Sequence, residues 1–239
     1  MAKIPGHQLA EVICGFWFDQ IQNNWDSTYF GNFHEHIKTL GYSEKQEQKG
    51  FQIRLDFNLQ TPENSRTTHD EMETRMVFKN PEKNSAVILA ANYISIHKLP
   101  HYTNWENFYQ NDVLEVLNQY FSLGLGNGLI QCNMVYLNQF LVDKAGSISE
   151  LFGILPQLPV LSSGKQQNLI FQSQYKFEPN LLAQLKLIQN QVLEDKIGYV
   201  FECGCIATKN QQNSETLEQL IQSAHDKAND IFKSVLMEK

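Results

Sequence analysis

Two similar triplets that lie 80 residues apart, Asn24-Trp25-Asp26 and Asn104-Trp105-Glu106, most constrain how this chain can fold. Each triplet precedes a stretch with apolar residues at helical spacing, and each stretch lies between two strand-like runs. The first unit reads EVICGFWF, NWDSTYFGNFHEHIKTLG and GFQIRLDFNL; the second reads SAVILAANYISI, NWENFYQNDVLEVLNQYF and LIQCNMVYLNQFLV. A strand–helix–strand unit used twice predicts the architecture, although it carries no direct information about chemistry.

The residues around the two triplets predict where the helices begin and end. We expect Asn24 to cap the first helix, with Asp26 in its positive first turn. Gly41 is expected to end this helix, because glycine readily adopts the left-handed conformation. The second helix is expected to begin at Asn104. The two tryptophans would then occupy equivalent places in the two units.

The remaining patterns predict further strands and one last helix. Residues 51–60 alternate between apolar and polar, which is typical of a strand with one wet and one buried face. Residues 61–72 read as a polar loop, and residues 75–79 and 86–97 as the arms of a hairpin. Further strands are expected at 130–142, 169–177, 181–192 and 198–208. A long apolar stripe predicts a closing helix, capped by Ser214.

These elements predict an α+β fold. We expect a twisted, mainly antiparallel or mixed sheet with the helices packed on one face, because half-wet strands disfavour a doubly wound parallel sheet. The chain of 239 residues is interpreted as a single domain, 1–239. Within it, residues 1–145 form the two repeated units. Residues 146–239 form an irregular segment followed by strands and the long C-terminal helix.

Composition and charge disfavour several classes of function. The formal charge of −7 predicts no bulk affinity for nucleic acid or an anionic membrane. No apolar run approaches the length of a membrane span, and the N-terminal residues lack the apolar region of a secretory leader. The four cysteines fall inside strand-like runs rather than at loop positions. We therefore expect a cytoplasmic protein with reduced cysteines.

No catalytic or cofactor motif is recognised in the sequence. Gly124-x-Gly126-x-Gly128 follows a helix and precedes a strand, the reverse of a phosphate-binding loop, so it is interpreted as a turn. Cys203 and Cys205 could share one face of a strand as metal ligands, but no matching pair of ligands accompanies them. We expect these cysteines to be buried apolar residues. No catalytic residue, metal site or cofactor is predicted.

Six residues are nevertheless candidates for contact with a ligand or a partner: Trp25, Tyr29, Trp105, Phe108, Asn138 and His225. The two tryptophans could form aromatic walls of a groove, or they could be core wedges whose N–H groups find carbonyl partners. Asn138 lies on an otherwise apolar strand face, so it should point inward and need hydrogen-bond partners. His225 borders the apolar stripe of the last helix. A packing role is the simpler explanation for each of these residues.

Several short segments resemble one sporadically distributed family of uncharacterised prokaryotic proteins about 250 residues long. The segments that carry the resemblance are Leu9-Ala10-Glu11-Val12 with Phe16-x-Phe18, Tyr102-x-x-Trp105-Glu106-x-Phe108, Val135-Tyr136-Leu137-Asn138, and Ala224-His225-x-x-Ala228-x-x-Ile231-Phe232. The resemblance extends over the whole chain. The patchy occurrence of this family resembles that of genes on mobile or defence-associated loci. It implies a single α+β unit with a binding or accessory role, and it provides no catalytic residues.

Three functional hypotheses follow, and the first is preferred. It is a non-enzymatic protein-binding or accessory module in a bacterial defence or toxin-neutralising system, with a protein partner. Self-association into a homo-oligomer, through the last helix or a free sheet edge, belongs to the same hypothesis. The second is a small-ligand pocket between sheet and helices, lined by Trp25, Tyr29, Trp105 and Phe108. The third is a divergent hydrolase or nuclease whose residues come together only in the fold.

Overall fold

The computed structural model describes most of the chain. The described residues are 7–19, 25–48, 74–100, 102–143, 152, 169–177, 180–192, 195–209 and 216–235, together with the backbone of 51–56 and 66–71.

Three helical regions are present in this part of the chain. Helix α1 covers Thr28–Ile37 and continues into the 3₁₀ turn Lys38–Leu40. Helix α2 comprises Trp105–Phe108, a π-helical segment Tyr109–Leu114, and Glu115–Ser122. Helix α3 covers Leu217–Val235.

Eleven strands are described. They are β1 His7–Phe18, β2 Glu44–Gln48, β3 Phe51–Asp56, β4 Arg66–Glu71, β5 Arg75–Asn80, β6 Ser85–Ala90, β7 Tyr93–Lys98, β8 Leu129–Asp143, β9 Ile170–Phe177, β10 Leu181–Val192 and β11 Lys196–Thr208.

Nine of these strands form one antiparallel sheet in the order β2-β5-β6-β7-β1-β8-β11-β10-β9. Strands β3 and β4 pair with each other as a separate two-stranded sheet. Every described pairing is antiparallel. The prediction of a mixed α+β fold with a mainly antiparallel, unclosed sheet is therefore confirmed.

The centre of the sheet has the connectivity of a split β–α–β fold. Strand β7 lies between β1 and β6, and β1 lies between β7 and β8. Helix α1 follows β1, and α2 joins β7 to β8. The order β6-β7-β1-β8, with a helix after β1 and another before β8, is the arrangement of ferredoxin-like folds, in which two strand–helix–strand units interlock. The sequence predicted two consecutive units. The difference arises because strand pairing joins distant segments, which local periodicity does not report.

Several predicted elements differ from those observed. The strand predicted at residues 51–60 appears as β3 outside the main sheet, and the predicted polar loop 61–72 contains β4. The run SAVILAANYISI is a hairpin of β6 and β7 rather than one strand. Helix α3 is capped by Thr216, whose Oγ1 accepts from the amide of Gln219. The predicted cap, Ser214, lies outside the described residues.

The two triplets are not equivalent in the fold. Asn104 caps α2 as predicted, because its side chain accepts a hydrogen bond from the amide of Asn107 at 2.8 Å. Helix α1 instead begins at Thr28, whose amide donates to the carboxylate of Asp26. Trp25 therefore precedes its helix, whereas Trp105 is the first residue of its helix. Asn24 lies outside the described residues.

The main core contains side chains of all three helices together with those of one face of β1. This face carries Val12, Cys14, Phe16 and Phe18, all buried. The helical members of the same cluster are Phe30, Phe33 and Ile37 from α1, Phe108, Tyr109, Val113, Val116, Leu117 and Tyr120 from α2, and Leu220, Ile221, Ala224 and Ala228 from α3. A second cluster continues along this face and includes Phe140, Phe201 and Phe232. We call this face the core face, and the opposite one the outer face.

The glycines after α2 form the turn that the sequence predicted. Gly124, Gly126 and Gly128 all have positive φ angles, between 70° and 82°. Only glycine adopts such angles without strain. A side chain on Gly126 would also collide with the rings of Tyr120 and Phe121. This turn directs the chain from the end of α2 into β8.

Candidate functional site

Trp25 and Tyr29 form an aromatic stack at the start of α1. Their ring centroids are 5.0 Å apart with an interplanar angle of 5°, and Phe30 contacts Trp25 edge-on. Trp25 and Tyr29 are partly buried and pack against the main core. Their geometry is that of core-edge packing. Their predicted role in ligand or partner binding stays a prediction.

Trp105 joins α2 to α3. Its indole lies flat on the imidazole of His225, with centroids 4.4 Å apart and an interplanar angle of 9°. Its Nε1–H donates to Oε1 of Gln222 at 2.8 Å. Phe108 is buried and contacts the indole edge-on. The structure thus brings three of the predicted residues together, and the indole N–H bonds to a side-chain amide rather than to a backbone carbonyl.

His225 also connects α3 to the sheet through Tyr136 of β8. Its Nδ1 is 2.6 Å from the Tyr136 hydroxyl. Burial lowers the pKa of His225 and raises the pKa of Tyr136, so both groups are neutral near pH 7. Burial also raises the pKa of Tyr102, which hydrogen-bonds to Tyr136. We call Trp105, Tyr136 and His225 the helix anchor.

Asn138 lies two residues beyond Tyr136 on the same strand. It is 2% exposed, and its Oδ1 is 2.9 Å from Nε2 of His7 on β1. The His7 ring in turn stacks on Phe140 with centroids 4.8 Å apart. The inward orientation expected for Asn138 is therefore present, and its observed partner is a protein side chain.

The outer face carries three hydrogen-bonded polar side chains that the sequence did not predict. His97 of β7 lies between Glu11 of β1 and Ser95, two residues earlier on β7. Nδ1 of His97 is 2.6 Å from Oε1 of Glu11, and Nε2 is 2.8 Å from Oγ of Ser95. The order acid–imidazole–hydroxyl is that of a nucleophile activated by a general base. We call these three residues the outer triad.

Next to the outer triad, Gly15 leaves room for large polar neighbours. A side chain at Gly15 would collide with Oδ1 of Asn133 and would lie 3.1 Å from the Tyr93 hydroxyl. Oδ1 of Asn133 is buried and has no hydrogen-bond partner among the described residues. The Tyr93 ring packs on Trp17, and the guanidinium of Arg75 lies 5.7 Å above it. Burial raises the pKa of Tyr93, so its hydroxyl is neutral.

Exposure limits what the outer triad can do chemically. The side chains of His97 and Glu11 are 12% and 23% exposed, whereas Ser95 is 0% exposed. A nucleophile has to touch its substrate, so Ser95 would be reached only if a neighbouring side chain moved. Strand spacing places Ser95 and His97 on one face, which the sequence could have indicated. Glu11 is 86 residues from His97, and only strand pairing brings them together.

Beside the outer triad, the outer face presents partly exposed aliphatic side chains from β1, β8, β10 and β11. We call them the aliphatic patch: Ile13, Val135, Leu137, Leu182, Ile188, Val200 and Ile206. Glu202 and Lys186 lie directly opposite each other on β11 and β10 in the same region. Contiguous apolar side chains that remain partly exposed, with polar residues beside them, are typical of contact sites for other molecules.

The cysteines and histidines form no metal site in the described part of the chain, where no group of three or more potential ligands occurs. All four cysteines are free and buried. Burial raises the pKa of Cys203 to about 12 and that of Cys205 to about 11, so both are protonated thiols. They occupy the core face as small apolar residues.

Two further observations bear on small ligands and on membranes. A cavity of about 80 Å³ is lined by Gln8, Gln139, Gln191 and Tyr199 at one end of the sheet. Typical ligand pockets are several times larger, about 300 Å³ or more.

Among the helices described above, none is both long enough and apolar enough to cross a membrane.

Comparisons with known proteins provide no family for this chain. No model of a known protein family matches it, and no curated protein shows significant similarity to it. The resemblance to a sporadically distributed prokaryotic family therefore stays a prediction.

Proposed function

We propose that this chain is a non-enzymatic binding module that docks a protein partner on the outer face of its sheet. The observation that carries the proposal is the aliphatic patch. In this proposal the helices cover the core face alone, and the outer face stays available for docking. From the resemblance noted in the sequence, we further propose that this module acts in a bacterial defence or toxin-neutralising system, and from its composition that it acts in the cytoplasm.

The chemistry of the patch favours a particular kind of partner. Seven partly exposed aliphatic side chains favour an apolar contact surface on the partner. The net charge of −7 favours a partner with a basic rim, because long-range attraction accelerates encounter. Glu202 and the neighbouring glutamines provide polar contacts around the apolar centre.

The energetics are consistent with a complex of moderate strength. Complete burial of a Val, Leu or Ile side chain is worth about 1.5–3 kcal/mol, so a partly exposed side chain contributes at most about 1 kcal/mol. The patch as a whole therefore supplies at most several kcal/mol. Association costs about 4–15 kcal/mol in lost freedom, so hydrogen bonds at the rim have to contribute as well.

The test compares two surface substitutions against one purified partner. The tagged protein is purified from its native host, any stoichiometric partner is identified and produced separately, and affinity is measured by calorimetry. Val135→Asp, in the middle of the patch, should weaken binding at least tenfold. Leu99→Asp, at a 39% exposed position beyond the end of β7, is the matched control and should bind like wild type. Equal affinity for both variants would reject the patch as the docking surface.

Hydrolysis by a serine nucleophile is a second candidate function, favoured only by the outer triad. The complete burial of Ser95 opposes it. A fluorophosphonate probe, which labels activated serines, tests this candidate directly. Labelling that disappears in Ser95→Ala would support hydrolysis. Absence of labelling in both wild type and Tyr93→Ala, where the neighbouring ring is removed, would reject it.

A further inference from the structure

The two edges of the nine-stranded sheet differ in their protection against pairing. Strand β2, at one edge, is short, and its sequence EKQEQ is exposed at every position. Charged residues of this kind prevent edges from associating. Strand β9, at the other edge, has eight residues and a single charged one, Lys176. Its Ile170 and Tyr175 are 70% and 43% exposed. The second edge therefore lacks the usual protection.

The hydrogen bonding of β9 to β10 shows which backbone groups remain available. The carbonyl of Leu169 accepts from the amide of Gln189, its direct neighbour in the register. Because hydrogen-bonded pairs alternate along an antiparallel ladder, the odd-numbered residues of β9 bond to β10. The even-numbered ones, from Ile170 to Lys176, direct their N–H and C=O groups away from the sheet. These outward groups can accept a further strand.

The sequence of β9 is complementary to itself when read in the opposite direction. With Ser173 on a two-fold axis, the outward backbone groups of two copies meet in register. The opposed pairs are then Leu169–Phe177, Ile170–Lys176, Phe171–Tyr175, Gln172–Gln174 and Ser173–Ser173. One of these pairs is apolar, one aromatic, one of two amides and one of two hydroxyls, whereas Ile170 faces Lys176. No like charges are opposed.

Ser173 lies at the centre of this register. It bonds to β10 through its backbone, so across the axis it would form a non-hydrogen-bonded pair, in which side chains approach closely. Its Oγ is buried without a hydrogen-bond partner among the described residues, so the hydroxyl of a second copy would reach it only if the atoms that cover it moved. The register therefore rests on the sequence of β9 and on the outward backbone groups of its even-numbered residues.

We propose that β9 pairs antiparallel with β9 of a second copy of this chain, about a two-fold axis at Ser173. The two sheets join into one continuous sheet, and the aliphatic patches of both copies lie on the same side of it. The partner is a second copy because the edge is complementary to itself. This dimer does not depend on the docking function, since it uses the backbone of β9 rather than the patch.

The first experiment measures mass in solution by light scattering and sedimentation over a concentration series. Wild type should give a dimer of twice the 27.6 kDa chain mass. The double substitution Gln172→Lys with Gln174→Lys opposes like charges twice across the axis and should give a monomer. Gln172→Lys with Gln174→Glu opposes unlike charges and should restore the dimer. Both pairs occupy the same exposed positions, so each controls for the folding of the other.

The second experiment tests the register. Ser173→Cys places two thiols opposite each other on the axis, at a spacing that a disulfide spans. Oxidation should then give a covalent dimer. Tyr175→Cys is the control, because its thiol would face Phe171 of the second copy and should not cross-link. A monomeric wild type, or cross-linking through Tyr175→Cys instead of Ser173→Cys, would overturn the proposal. Dimerisation should also survive Val135→Asp, which separates this result from that of the docking test.

Discussion

Removing the Tyr136 hydroxyl tests how α3 is held on the sheet. In Tyr136→Phe the imidazole of His225 loses the partner 2.6 Å from its Nδ1, while the stack on Trp105 remains. The His225 side chain is 12% exposed, so water replaces the lost hydrogen bond only poorly. Leaving such a group unsatisfied costs about 1–3 kcal/mol. We expect a loss of about 2 kcal/mol, or about 4–8 °C in Tm for a chain of this size.

The same contact predicts a dependence of stability on pH. Burial lowers the pKa of His225, so the unfolded chain binds a proton more readily than the folded chain does. Stability from the neutral imidazole is therefore present above the ordinary histidine pKa of about 6.5 and is lost as the pH falls towards the lowered value. Burial also lowers the pKa of His34, which adds a loss of the same sign. In His225→Leu, the loss of stability at acidic pH should therefore be smaller than in wild type, but it should not disappear, because His34 remains.

Urea denaturation of four proteins, at pH 8 and at pH 5.5, measures both effects. The four are wild type, Tyr136→Phe, His225→Leu and the double variant. The two residues should be coupled by about 0.5–3 kcal/mol, since they contact each other directly. A Tyr136→Phe variant within about 0.5 kcal/mol of wild type, as at an ordinary surface position, would refute the proposed helix anchor. If His225→Leu loses as much stability between pH 8 and pH 5.5 as wild type does, the proposed contribution of His225 protonation is refuted.

Three further predictions concern the two faces of the sheet and α2. Gly15→Ala should destabilise the fold by about 1 kcal/mol in thermal melts, because the added carbon forces the side chain of Asn133 to move; an unchanged Tm would contradict this close packing. The four cysteines should react with a disulfide reagent only on unfolding, since each is buried with a raised pKa; rapid labelling of the native protein would show that they are accessible. Lys98→Met should cost about 3–5 kcal/mol in denaturant titrations, because it leaves the 2% exposed carboxylate of Asp112 unpaired; a loss below about 1 kcal/mol would show that Asp112 is not held by this pair.

The elements with strong local periodicity could be predicted from the sequence. Strand β10 has the predicted bounds, and β8, β9 and β11 differ from their predicted bounds by one or two residues. Strand β2 could not be predicted, because an edge strand exposed at every position has no apolar alternation. The predicted start of α1 was too early, since Asn24 was expected to cap it with Asp26 in its first turn, whereas the helix begins at Thr28 and Asp26 precedes it.

The candidate sites depend on pairing between distant segments, which local patterns do not report. Trp105 and His225 were both selected from the sequence, but the hydroxyl that connects His225 to the sheet belongs to Tyr136, 89 residues away. The outer triad was missed because a bulge between Leu9 and Glu11 sets the face on which Glu11 lies. The aliphatic patch was missed because its members come from four strands, each of which has only a few of them.

The docking function is tested most directly by hydrogen exchange on the complex with its purified partner. We predict that binding slows exchange of the backbone amides of β8 and β11 around the aliphatic patch, while α2 and α3 exchange as in the free protein. Val135→Asp should abolish this protection, and Leu99→Asp should preserve it. Protection confined to the helices, or unaffected by Val135→Asp, would contradict a docking surface on the outer face.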